Sequence, residues 1–144
     1  MTTLHWMALL RIVLGLWWLE SFRHKDKAAW LQRNAGIGWA TSVAEKHKWG
    51  FVRKGFNTVV APRPAFMTRV VLVAELALGL GLVAGFLTPI ALVGSALLCL
   101  LYFVLMIHDW AEQGQNLMMI AIAIACLGAG AWEVWSVDDS LGWF

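Results

Sequence analysis

Four apolar runs, at residues 4–22, 66–87, 90–108 and 115–135, leave this chain few ways to fold. Each is close to the ~20 apolar residues that a helix needs to cross the hydrocarbon of a bilayer. A chain of 144 residues has room for one domain. A domain of that size keeps much of its side-chain area facing solvent. With 60% hydrophobic and 14% charged residues, that outward area must be largely apolar, and lipid is the solvent that accepts it. The expectation is an all-α integral membrane four-helix bundle, a single domain over residues 1–144. Residues 23–65 would form an amphipathic interfacial segment between the first and second transmembrane helices.

The connections agree with that architecture. "GFLTP" makes a tight hairpin between the second and third runs, with Pro89 opening the new helix. "HDWAEQGQN" joins the third to the fourth. Short connections make antiparallel neighbours. The N-terminal "MTTLHWMALL" lacks the basic n-region and small-residue cleavage pattern of a secretory signal, so it reads as a retained membrane helix.

Charge sets the orientation. The segment 23–63 holds nine of the eleven Lys and Arg residues. On the opposite side the charges are Glu133, Asp138 and Asp139, with no Lys or Arg. The positive-inside rule then puts the basic segment in the cytoplasm and both termini outside, in the cell's cytoplasmic membrane. The tryptophans fit the same frame, since indole rings favour sites with one wet edge. Trp6, Trp132, Trp135 and Trp143 fall at the outer boundary, and Trp30, Trp39, Trp49 and Trp110 at the inner one. Trp17 and Trp18 lie deeper. Within the basic segment, Asp26 is a natural N-cap for "KAAWLQRN", and Gly36 and Gly38 would interrupt the helix. Trp30, Ile37, Ala40 and Ala44 can share one face, the pattern of a helix lying in the membrane interface.

Small residues at spacing four, Ala77, Gly81 and Gly85 in one run and Ala121, Ala125 and Ala129 in another, are expected to pack helices closely. Cys99 and Cys126 lie within apolar runs at a spacing that matches no metal motif, and read as small core residues.

The ionisable residues inside the runs need another explanation, because an unpaired charge at mid-membrane costs several kcal/mol. In "RIVLGLWWLE", Arg11 lies roughly 10 Å down the first helix at 1.5 Å per residue. Glu75 in the second, counted from its other end, lies some 13 Å deep. The two come out at similar levels and are expected to pair. Glu20 and Arg69, each about one turn from the inner surface, make a second expected pair. A buried Arg–Glu couple could hold a polar head group such as a quinone carbonyl, or relay a proton. Glu75 sits about 200° around its helix from Ala77, so the charged face is expected to differ from the close-packing one. His24 and His108 fall at the inner boundary rather than deep in the bundle, so a haem held between them is not expected. The sequence has no nucleophile–base pair, metal cluster or phosphate-binding loop.

Three stretches carry a family likeness. "LRIVLGLWWLESFRHK" contains Arg11, Gly15 and Lys25. "AELALGLGLVAGFLTPIALVGSALL" has Glu75 leading a glycine-rich helix. "NLMMIAIAIACLGAGAWEVWSVDDSLG" closes with Gly128, Ala129 and Gly130, then Ser136, Asp138 and Leu141. In this order the sequence resembles the DoxX/DoxD family of small membrane proteins, which includes the membrane subunit of thiosulfate:quinone oxidoreductase. It departs from the family at Phe22, where a glycine is common, and in the inserted "EVW" at 133–135. The resemblance implies a membrane subunit of a quinone-linked oxidoreductase, not an enzyme on its own, that contacts quinone or a redox partner. Arg11 and Glu75 would be the polar contacts, with no covalently bound cofactor. Lys25, Lys46, Lys48, Arg53 and Lys54 would dock a cytoplasmic acidic partner or anionic lipid. Other membrane subunits are the expected partners, and nucleic acid is not one. The alternative is a structural subunit of a larger membrane complex with no catalysis of its own.

Overall fold

The computed structural model describes residues 2–144, and every regular element in it is helical. Four long helices form the body: α1 (Thr3–His24), α5 (Pro64–Ala84), α6 (Thr88–Leu105) and α7 (Trp110–Gly128). Short α2 (Lys27–Arg33), α3 (Ala35–Glu45) and α4 (Gly50–Val59) fill the segment between α1 and α5, and α8 (Val137–Leu141) lies near the C-terminus. α1 packs on α5 and α7, and α6 packs on α7 and α5, which closes a ring of four. Leu14, Trp18, Leu82, Leu92, Met119 and Ala123 fill its centre. Both cysteines are free and buried there, as expected of small core residues.

α5 and α6 are long and apolar enough to cross a bilayer. In α1 the apolar run is diluted by Arg11, Glu20 and Arg23, and in α7 by Glu112, Gln113, Gln115 and Asn116. α7 also starts and stops earlier than its apolar run. Asp109 caps it, accepting from Ala111 N at 3.0 Å and Glu112 N at 3.1 Å. After Gly128 the chain turns through Gly130, whose φ of 69° suits a residue without Cβ. The stretch from Ala129 to Trp135 is therefore irregular, not helical.

The hairpin between α5 and α6 forms as the sequence suggests. Gly85 (φ 67°) ends α5, Leu87 (φ 50°) precedes α6, and Pro89 lies in the first turn of α6. Asp26 does cap α2, accepting from Ala29 N at 3.1 Å. The break after α2 falls at Asn34, in the left-handed region with φ 51°, whereas Gly36 and Gly38 lie inside α3. Asparagine tolerates that conformation better than most residues with a Cβ. Ile37, Ala40 and Ala44 are the buried face of α3, packed toward α5 and α6.

The expected stripes are tight only at their glycines: a Cβ on Gly85 would clash with the Ser136 side chain, and one on Gly81 would come within 3.2 Å of Phe86 O. Ala77, Ala121 and Ala125 face outward. The close approach of α1 to α5 is made by Gly15 and Gly79: a Cβ on Gly15 would come within 2.8 Å of Val83 N and 2.9 Å of Gly79 O. One on Gly79 would come within 2.6 Å of the Leu19 side chain. Gly79 is one turn from Glu75, on the same face of α5, so the charged and close-packing faces coincide. This contact sets the register of α1 on α5. Arg11 is level with Gly85, ten residues or ~15 Å along the helix from Glu75. α1 therefore ends part-way down α5, and α2 and α3 pack against the remainder of α5.

Candidate functional site

The stagger of α1 on α5 decides which charges meet. Arg11 and Glu75 do not pair, contrary to the depth argument, which took the two helices to begin at common levels. The Arg11 guanidinium turns to the C-terminal segment and donates to Ala131 O at 2.9 Å and Trp135 O at 2.6 Å. Beside it, Asp138 accepts from Leu87 N at 2.8 Å and Thr88 N at 2.7 Å, capping α6 from fifty residues away. Asp138 N returns a bond to Gly85 O at 3.0 Å. Arg11 and Asp138 thus latch the irregular C-terminal segment over one end of the ring. Glu20 and Arg69 do not pair either. Glu20 forms a two-pronged bond with Arg23 at 2.6 and 2.7 Å, three residues on in its own helix, and Arg69 is exposed. Neighbours one turn apart reach each other more readily than residues on separate helices.

Glu75 finds its partner where α1 ends. Lys25 caps α1 in an extended conformation, and its Nζ reaches back to Glu75 Oε2 at 2.6 Å and Ser21 Oγ at 2.9 Å. Lys25, expected to dock a partner as part of the basic segment, points inward instead, its side chain 15% exposed. The other carboxylate oxygen, Oε1, accepts from the Tyr102 hydroxyl at 3.0 Å. Glu75 is wholly buried, so each of its oxygens needs a donor, and the cluster supplies one to each. The Lys25 ammonium also lies 5.1 Å from the centroid of a Trp30 ring, a favourable position for a cation.

This cluster forms one wall of a cavity of about 510 Å³ enclosed by the end of α1, by α2 and α3, and by α5, α6 and α7. Aromatic faces dominate the rest: Trp17, Trp18, Trp30 and Trp39. Trp18 is held by an Nε1–H bond to Ser95 Oγ at 2.8 Å. On α7, Glu112, Gln115 and Asn116 bring polar atoms to the wall. Asn116 donates to Glu112 O at 2.8 Å. Glu20 and His24 line the cavity from the exposed end of α1. The combination of apolar walls and a few convergent polar groups is that of a small-molecule site.

The remaining basic residues stay outside. Lys46, Lys48, Arg53 and Lys54 are exposed on and before α4, a helix with no buried residue. His47, between them, is buried. Its Nε2 donates to Val104 O at 2.9 Å and its Nδ1 accepts from Trp49 N at 3.1 Å, tying this corner to the end of α6. His108 lies against His47, ring centroids 5.9 Å apart, while His24 bonds Glu20. Among the described residues no three His, Cys, Asp or Glu side chains converge as a metal site.

Tyr102, Asn116 and His47 were not singled out by sequence. Tyr102 carried a signal: it is the chain's one tyrosine, set in an otherwise apolar run. Asn116 is the last of the polar residues that open α7, behind Gln113 and Gln115, and His47 had no signal in a segment already rich in polar residues. Comparison with known proteins adds no name to the site: no family model, no curated protein and no solved structure matches the chain.

Proposed function

We propose that the protein is a bilayer-embedded subunit of a quinone-linked oxidoreductase and that the aromatic cavity beside Lys25, Glu75 and Tyr102 holds the quinone ring. The observation that carries this is the buried Lys25–Glu75–Tyr102 cluster set in the wall of a cavity with flat aromatic sides. A benzo- or naphthoquinone is a planar ring with a carbonyl at each end. Indole faces suit the ring and the Gln115 amide suits one carbonyl, while the Tyr102 hydroxyl and the Lys25 ammonium, bonded to Glu75, would exchange that bond for one to the other carbonyl. Donors aimed at an oxygen that gains negative charge on reduction also favour the reduced state. Arg11, latched elsewhere, has no part in this contact. The resemblance to the DoxX/DoxD family supports the same assignment, with electrons exchanged through a partner subunit.

Membrane embedding by all four long helices is part of the proposal. Its support is the belt of outward-facing apolar side chains on each: Leu16 on α1, Val73 on α5, Leu101 on α6 and Ile124 on α7 are all at least half exposed. In water such a surface would drive association. The exposed cations around α4 would face the cytoplasm and meet anionic lipid or an acidic partner, with both termini outside.

Purification in mild detergent, with mass spectrometry of all that co-elutes, tests the assignment. Quinone at near-stoichiometric amount is expected in wild type and is expected to be lost from Tyr102→Phe combined with Glu75→Gln. The alternative, a structural subunit, is favoured by the apolar groove of about 670 Å³ between α5 and α6, which has no chemistry of its own. Stoichiometric membrane partners with no quinone would select it.

A further inference from the structure

We propose that Glu75 exchanges protons with one aqueous compartment only, the one faced by α2–α4. The polar groups around Glu75 are arranged asymmetrically. Facing it are Lys25 and Ser21 from α1 and Tyr102 from α6, with Glu112 on the cavity wall from α7. α2 and α3 contribute Trp30, Gly36, Ile37, Trp39 and Ala40, none of them ionisable. The cavity continues to Glu20 and His24, whose side chains are 48% and 67% exposed. At about 30 Å³ per water in the liquid, a cavity of 510 Å³ has room for a file of waters. A proton reaching Glu20 or His24 from bulk water thus has a polar path to the Glu75 carboxylate, which it converts to the acid. Release runs along the same path in reverse.

Toward the other end of the ring there is no such path. Beyond Glu75 come Gly79 and Leu82 on α5, faced by Leu14, Trp18, Leu92 and Ala123 of the core. Among the described residues no carboxylate, lysine or histidine lies in that layer. The next charged groups, Arg11 and Asp138, are spent on backbone atoms of the C-terminal latch. A ligand that takes or gives protons at Glu75 therefore draws them from the α2–α4 side. This extends the quinone assignment and rests on it only for the ligand's identity.

The test needs no variant. Membrane vesicles of known sidedness are treated with a membrane-impermeant quaternary carbodiimide and glycine ethyl ester, and carboxylate adducts are located by mass spectrometry. Glu45 and Glu133, both exposed, report the two faces. The expected result is an adduct at Glu75 whenever Glu45 is modified, and background labelling of Glu75 when only Glu133 is. Labelling of Glu75 together with Glu133 would overturn the proposal. So would protection of Glu75 from both sides while Glu20 and Glu112 react. Labelling reports access with or without ligand, so either outcome leaves quinone binding to be judged by the ligand found on purification.

Discussion

Glu75 is wholly buried, and its energetics follow from having one donor to each carboxylate oxygen. Replacing it by Gln removes the charge and leaves the Lys25 ammonium buried without a counter-charge. Breaking a buried pair from one side costs about 3–5 kcal/mol. Lys25→Met together with Glu75→Gln removes both charges, and most of that loss is expected to return. Tyr102→Phe deletes one bond to a charged acceptor, with an expected cost of about 1.5–3 kcal/mol. Chemical unfolding in detergent micelles measures all three. Arg11→Leu and Glu75→Leu should instead add independently, since residues so far apart share no partner. Sequence made both buried charges visible, because charge in an apolar run is costly. It could not assign partners, because depth was counted from helix ends whose relative levels are fixed by Gly15 against Gly79, a contact no spacing rule pointed to.

At the scale of the helix, the α1–α5 interface depends on two missing methyl groups that are not equivalent. A Cβ at Gly15 meets main-chain atoms of α5, whereas one at Gly79 meets first the end of the Leu19 side chain, which can move. Gly15→Ala should therefore destabilise more than Gly79→Ala, within the ~1–3 kcal/mol typical of overpacking. Shifting α1 would also pull Lys25 from Glu75, so Gly15→Ala should weaken ligand binding as well; paired unfolding and binding curves check both effects. Helix existence, the Gly85–Pro89 hairpin and the Asp26 cap were legible because each has a local chemical cause. The Asp109 cap was not, since hydropathy placed the start of α7 past its polar first turns. The break at Asn34 was obscured by two nearby glycines that stay helical.

For the whole molecule, one end of the ring is closed by a latch and the other by a cavity. The Arg11–Asp138 latch holds the C-terminal segment by bonds to backbone atoms, so Asp138→Asn should loosen that segment and leave the cavity intact. Hydrogen exchange at Leu87 and Thr88 is expected to rise in this variant with no change at Tyr102. An all-helical, strongly apolar chain was evident from composition. The cavity was not, because it is assembled from α1, α2, α3, α5, α6 and α7 and appears only once α1 is known to stop short. Four of its wall residues are tryptophans, which makes the protein its own reporter. The decisive measurement is a titration of purified protein with a short-chain benzoquinone, followed by tryptophan fluorescence. Saturable quenching is expected in wild type, with at least about tenfold weaker binding, worth ~1.4 kcal/mol, in Tyr102→Phe. Quenching that rises linearly without saturation, or is unchanged by that substitution, would contradict a quinone site in this cavity.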